Sequence, residues 1–211
     1  MSVSDMMTMH WSPRSPYVRK VMIAAHELGL AGRLNCVRTV VGGTTANTVL
    51  MHENPLGKLP TLVLPDGTVL YDSYVILEYF DMIGAGTKLL PVAGPERLQA
   101  LRRHALGTGM LDVLLQWLGE NGRPAERRSA PHVALWRGKI HAAVGALNAE
   151  AAGLAETPFG IGHLAIGVAL GYLDFRFDAE NWRADHAPLA AWYEGFTQRP
   201  SVIASLPVDD S

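Results

Sequence analysis

The sequence contains a single cysteine, Cys36, in 211 residues. One thiol excludes an internal disulfide framework and any zinc site built on several thiolates, and it points to a reducing compartment. Charge of one sign is missing as well: eighteen Lys and Arg stand against twenty Asp and Glu, for a net charge of -2. Without a basic field, a nucleic-acid partner has no electrostatic support. The densest basic group, Arg123, Arg127 and Arg128, sits with Glu120 and Glu126 and reads as a solvated helix end. No apolar run reaches the ~18 residues of a membrane span, and the opening MSVSDMMTMH lacks the charged start and apolar run of a signal peptide. The eight histidines show no HExxH or comparable spacing, so no metal site is expected. Neither the G-x-x-x-x-G-K-[ST] segment nor the G-x-G-x-x-G fingerprint occurs, so a nucleotide cofactor is not expected either. A soluble, cytoplasmic globular chain is what these gaps leave. Its composition, 48% hydrophobic and 18% charged, is that of a folded protein.

What is present falls into two halves of different character. Residues 6–10 form a short apolar run suited to a buried strand, and Ser12-Pro13-Arg14-Ser15-Pro16 reads as a loop. Val18, Val21, Met22, Ala25 and Leu28 then recur at spacings of three and four, a helical stripe that Gly29 stops. Residues 34–41 suit a second strand, and a Gly-Gly-Thr-Thr loop follows. Residues 61–64 and 68–71 flank Pro65-Asp66-Gly67, a hairpin signal. Residues 73–83 read as a helix with Ile76, Leu77 and Phe80 on one face. Residues 1–83 are thus expected to form one βαβ-ββα domain, and the breaker-rich residues 84–95 a linker. From residue 96 to 211 only helical spacings recur: Leu98 to Leu118, then residues 133–155, 161–173 and 189–197. The fold class expected is a small α/β domain followed by an all-α helical domain. Met6, Met7 and Met9, and the tryptophans at 117, 136, 182 and 192, read as packing residues.

Three segments of the first domain carry chemistry. Ser15-Pro16 stands where the first strand hands over to the first helix. Serine is a preferred N-cap and proline is favoured at the first helical position, so Ser15 can be no more than a cap. The same helix start carries partial positive charge and unpaired N–H groups, which would equally stabilise a thiolate whose thiol ordinarily has a pKa near 8.5. A serine hydroxyl adds one hydrogen bond to such a sulfur. Where redox relatives of this layout carry Cys-x-x-Cys, this chain has Ser15-Pro16-Tyr17-Val18, so the sulfur has to come from a ligand. In Asn54-Pro55-Leu56-Gly57-Lys58-Leu59-Pro60, a cis Leu59-Pro60 bond would turn the Leu59 backbone outward toward a peptide, whereas an ordinary trans bond is the commoner case. Lys58 either pairs with a ligand carboxylate or is solvated. Asp72-Ser73 opens the next helix, either as a cap or as a site for a carboxylate and an ammonium group. A γ-glutamyl tripeptide carries both.

These residues, in this order and spacing, resemble the glutathione transferase family. SPYVRKV is similar to its serine-type active-site segment, NPLGKLP with TLVLPDG to its cis-proline segment, LYDSYVILEYFD to the segment ending in its γ-glutamyl site, and FTQRPSV to its closing helix. The resemblance implies a thioredoxin-like first domain and covers nearly the whole chain, most strongly residues 10–83. It implies that Ser15 hydrogen-bonds the glutathione sulfur, that Leu59 and Pro60 present backbone to the cysteinyl unit, that Lys58 lies near the glycine carboxylate, and that Asp72 and Ser73 hold the γ-glutamyl group. Ser12 also precedes a proline and is the rival to Ser15, but Pro13-Arg14 does not match the family's pattern. For the second substrate, a small hydrophobic electrophile, the resemblance points to Tyr17 with Thr108 and Leu111. It also implies a homodimer. An isomerase, dehalogenase or peroxidase using the same thiolate, or a glutathione-binding protein without turnover, would leave the same marks.

One segment departs from the family. After Thr157-Pro158-Phe159 the resemblance calls for a Ser or Thr cap closed by an Asp three residues on, and here Gly160 and His163 stand in those places. The expectation is that the reciprocal side-chain bonds are lost, that a charged His163 opposes the helix dipole, and that about 1 kcal/mol goes with them.

Overall fold

The computed structural model describes residues 6–210. Their contacts divide the chain into two units, one running to Leu90 and taking up the stretch from Pro200 onward, the other Pro91–Arg199. The division falls inside the expected linker. The stretch from Pro200, expected with the helical domain, belongs instead with the first unit. Its short helix buries Val202 and Ser201, and the Ser201 hydroxyl donates to Glu27 at 2.5 Å.

The first unit begins with β1 (Met7–Trp11), whose Met7 and Met9 are fully buried. Helix α1 (Pro16–Glu27) follows, with Ser15 as N-cap and Pro16 in its first turn. It ends where Gly29 adopts φ +71°, a left-handed conformation that glycine accepts without a Cβ clash, and the Leu30 N–H closes back on Ala25 C=O at 2.7 Å. Strand β2 (Leu34–Arg38) pairs parallel to β1, and α2 (Thr48–Glu53) comes next. Strands β3 (Thr61–Val63) and β4 (Val69–Leu70) make the expected hairpin, where Asp66 accepts from Thr68 N–H and Gly67 adopts φ +86°. Helix α3 (Ser73–Ile83) closes the motif. The sheet order is β2-β1-β3-β4, with β1 antiparallel to β3.

Helix α2 falls in a stretch where the sequence gives only a loop. It is six residues long and buries Leu50 alone, so it has no apolar period to read. What forms it is local: the Asn47 side chain caps the Leu50 N–H at 3.0 Å.

In the second unit α4 (Gly94–Asn121) packs along α7 (Ile161–Phe177). Every residue from 161 to 173 is buried, as befits a helix apolar on all sides. A Cβ at Gly107 would meet the Ala165 backbone, so glycine lets the two helices approach. The single helix expected over residues 133–155 is broken at Glu150 into α5 (Ala130–Ala149) and α6 (Ala151–Glu156). Glu150 is held there by Arg102 at 2.5 Å and Arg103 at 3.4 Å, both on α4. Helix α8 (Ala187–Thr197) completes the unit, and α9 (Pro200–Ile203) returns to the first. No helix is long and apolar enough to cross a membrane among the described residues.

Candidate functional site: three element starts at one edge of the sheet

The strand pairing brings the three sequence-selected segments of the first unit together. His10, near the end of β1, is the register partner of Thr61 at the beginning of β3, and Leu62 pairs with Leu70 at the end of β4. The loop after β1, the residues before β3 and the residues after β4 therefore share one edge of the sheet. Val18, in the first turn of α1, packs with Leu50 and Leu59 in a cluster joined by Trp11 and Met22. Ser15, Leu59-Pro60 and Asp72-Ser73 all lie at this edge.

Ser15 is a helix cap and has capacity beyond capping. Its hydroxyl oxygen accepts from Val18 N–H at 3.3 Å, which uses a lone pair. Its O–H proton has no acceptor among the described residues. A cap that accepts and an anion site that needs a donor are served by different parts of one hydroxyl. Ser12 lies three residues before the Ser15 cap and builds the turn instead: its hydroxyl accepts from Arg14 N–H at 3.4 Å and its carbonyl from Ser15 N–H at 3.2 Å.

The Leu59-Pro60 bond is cis, and the Tyr71-Asp72 bond is also cis. Among the described residues the Leu59 N–H and C=O take no hydrogen-bond partner. Two residues that sequence reading passed over fix the turn in front of them. Buried Asn54 donates to Lys58 C=O at 3.1 Å and to the Thr61 hydroxyl at 3.0 Å, and accepts from Leu56 N–H at 3.1 Å. Thr61 in turn donates to Lys58 C=O at 2.8 Å. The signal was available in Asn54-Pro55 and in a Thr opening a strand, both polar residues suited to local turn bonds. Lys58 itself is exposed.

At α3, Asp72 is the N-cap and accepts from Tyr74 N–H at 3.0 Å. Ser73 is buried, 2% exposed, at the positive end of the helix, and its hydroxyl has no hydrogen-bond partner among the described residues. Of the residues expected at the second substrate, Tyr17 is half-buried beside the Lys20 ammonium, 5.2 Å from the ring centre. Thr108 is half-buried on α4 and Leu111 fully buried there. No group of three or more His, Cys, Asp and Glu able to hold a metal gathers among the described residues. Cys36 is exposed and free, and burial of part of its thiol raises its pKa above the ordinary value.

The Gly160 and His163 expectation is corrected. His163 Nδ1 accepts from Gly160 N–H at 3.2 Å, so the half of the capping box that the N3 side chain supplies is intact. Nε2 carries the proton, 3.0 Å from Leu154 C=O and 3.1 Å from the Thr157 hydroxyl. Burial, with Arg103 and Arg199 nearby, lowers the imidazole pKa, so the ring is neutral and the charge that would oppose the dipole is absent.

A four-stranded α/β unit of order β2-β1-β3-β4 joined to an all-helical unit is the two-unit architecture of a transferase class that the comparisons with known proteins identify. Residues 14–83 match the glutathione S-transferase N-terminal domain and residues 130–195 the glutathione S-transferase C-terminal domain. The chain is 30% identical over 195 residues to the uncharacterized GST-like protein YibF of Escherichia coli, spanning 92% of this chain and 95% of that one. A glutathione transferase family member from Pseudomonas fluorescens Pf-5, solved with bound glutathione, superposes with a TM-score of 0.92 at 40% identity, over 96% of this chain and 99% of that one. A second Pf-5 structure, with bound S-(propanoic acid)-glutathione, gives 0.87 at 40% identity over 95% and 99%. The chain belongs to the glutathione S-transferase family and is accordingly an enzyme of the glutathione transferase type.

Proposed function

We propose that the enzyme conjugates the thiolate of glutathione to a small, largely apolar electrophile, and works as a cytoplasmic homodimer. The carrying observation is the Ser15 hydroxyl, which caps α1 with its oxygen and whose proton has no acceptor among the described residues. That proton donates to the sulfur, and the start of α1 adds the field of its N–H groups. Both favour the ionised thiol, which attacks an electrophilic carbon as the leaving group departs with the bonding pair. The Leu59 N–H and C=O pair with the cysteinyl unit ahead of Pro60. Lys58 meets the glycine carboxylate. Ser73 and the α3 N-terminus receive the γ-glutamyl carboxylate, and Asp72 its ammonium group.

Tyr17 and Thr108 are proposed for the electrophile; Leu111, being buried, backs Thr108 along α4. The S-substituted glutathione in the Pf-5 relative supports conjugation over mere binding. Dimerisation is supported by apolar side chains open on the first unit: Leu56 at 67%, and Val75 and Met82 seven residues apart on α3. Turnover of glutathione with an activated aryl chloride, followed in the wild type and in Ser15→Ala, tests the reading. Full activity in the variant defeats the role of Ser15, and a rearranged product in place of a thioether defeats conjugation. A monomeric elution volume on size exclusion would remove the dimer.

A further inference from the structure

The loop that presents Ser15 is gripped by residues far along the chain. Pro13 C=O accepts from Val208 N–H at 3.4 Å. Arg14, immediately before Ser15, places Nε 2.9 Å from Asp210 Oδ1 and Nη1 3.8 Å from Asp209 Oδ1. Arg38, at the end of β2, places Nε 2.6 Å from the other oxygen of Asp210. One carboxylate thus bridges the active-site loop and the end of the edge strand. The contacts run on: Arg38 donates to Thr39 C=O, the Thr39 hydroxyl meets His10 Nδ1 at 2.9 Å, and His10 Nε2 meets the Glu53 carboxylate at 2.7 Å. Glu53 adjoins Asn54, which orders the turn before Leu59. The two arginines hold the Asp210 carboxyl below the ordinary range, so it is ionised at neutral pH.

We propose that residues 206–210 are a strap that holds the Ser15 loop in its reactive geometry through the Arg14–Asp210–Arg38 bridge, which makes Arg14 and Asp210 positioning residues for thiolate stabilisation. The inference rests on the Ser15 reading above. An ion pair with side chains about a third exposed adds little to global stability. Its place in the chain gives it a different effect. The hydrogen bond from Ser15 to sulfur depends steeply on distance and angle, and Arg14 is one peptide away from the residue that makes it. The strap also falls where chain entropy works against it: α9 ends at Ile203 and the residues after it form no regular element. The bridge, with the Val208 N–H to Pro13 C=O hydrogen bond and the Asp209 contact, holds this stretch to the loop.

The test is the pH dependence of kcat/KM with glutathione and an activated aryl chloride, in wild type, Asp210→Asn, Arg14→Met and Asp210→Glu. In the first two variants the acid limb moves up by about half a pH unit, with about a threefold loss of kcat/KM below it, and kcat changes more than KM for glutathione. Asp210→Glu restores the wild-type limb. Salt of about 0.5 M moves the wild-type limb toward the variants and leaves Asp210→Asn where it is. In a Ser15→Ala background, Asp210→Asn has no further effect on the limb. An acid limb that stays put or moves down in Asp210→Asn, while Ser15→Ala loses activity, overturns the strap and spares the Ser15 reading. An equal loss with and without Ser15 also overturns it, because the strap would then act on the fold alone. Full activity in Ser15→Ala overturns both together.

Discussion

Helices α1 and α7 both begin with a capped turn, and the two turns use their polar atoms in opposite ways. At α1, Ser15 accepts one helix N–H and keeps a donor in reserve. At α7, His163 commits both ring nitrogens within the unit, one to Gly160 N–H and one to Leu154 C=O. The contrast extends outward from each helix. Around α1, the Leu59 backbone and the Ser73 hydroxyl also lack partners among the described residues. Around α7, Arg103 bonds Glu150 and Thr157, and Thr157 bonds Gly153 C=O. Unpaired polar groups at a fold's edge are costly unless something completes them, and in the function proposed above glutathione completes those of the first unit. Around the start of α7 the buried polar groups pair with one another, as in a scaffold.

The contrast predicts that damage to the second unit shows as stability. The largest effect is expected at Gly107, where a side chain on α4 meets the backbone of Ala165 on α7. Backbone cannot rotate away as a side chain can, so Gly107→Val costs about 3 kcal/mol in urea unfolding. Glutathione affinity of the protein that remains folded stays at the wild-type value. A variant as stable as the wild type would show that α4 and α7 do not depend on this close approach.

Next comes His163→Ala, which strands the Gly160 N–H and the Leu154 C=O at a buried site, for a loss of about 2 kcal/mol. His163 also gives stability a pH dependence. Its folded pKa is depressed, so the native state needs the neutral ring while the unfolded chain takes up a proton near pH 6.5. Stability is therefore fully present above about pH 6.5 and declines as pH falls through that value toward the folded pKa. Thermal melts from pH 7.5 to 5 should show this slope in the wild type and a shallower one in the variant. Equal slopes would mean that His163 takes up its proton in the native state as it does in the unfolded chain.

Ser15→Ala should reverse the pattern. Loss of one hydrogen bond to a charged sulfur lowers kcat/KM about ten- to a hundredfold. Loss of the cap costs about 1 kcal/mol of stability. His163→Ala assayed beside it should leave kcat close to wild type. If instead both variants lose activity in proportion to stability, the division between a chemical unit and a scaffold unit fails.

Much of this was legible in sequence because it rests on local rules. Ser15-Pro16, Gly29 and Asp66-Gly67 each state their turn or cap in two residues, and Val18 to Leu28 state their buried face by spacing. What was not legible depends on distant partners. Helix α2 has one buried residue and no period. The break at Glu150 is made by Arg102 and Arg103, nearly fifty residues earlier. His163 looked like a lost capping box because an imidazole can accept at one nitrogen and donate at the other, and only the neighbours decide which. The return of residues 200–210 to the first unit is set by Glu27, Arg14 and Arg38, none of which marks the sequence for it.

The smallest expected effect is at Lys58. It is exposed, and its own contribution to the fold is its carbonyl, which Asn54 and Thr61 hold, so the side chain is free to change without disturbing the turn. A solvated ammonium beside a carboxylate contributes little binding, and water and salt screen what there is. Lys58→Ala should raise the KM for glutathione about threefold and leave kcat unchanged, because the glycine end of the tripeptide is bound equally before and during attack. The difference should shrink as NaCl is raised. A fall in kcat would instead mean that Lys58 acts on the sulfur, and two groups would then serve the thiolate where the proposed function gives that role to Ser15 alone.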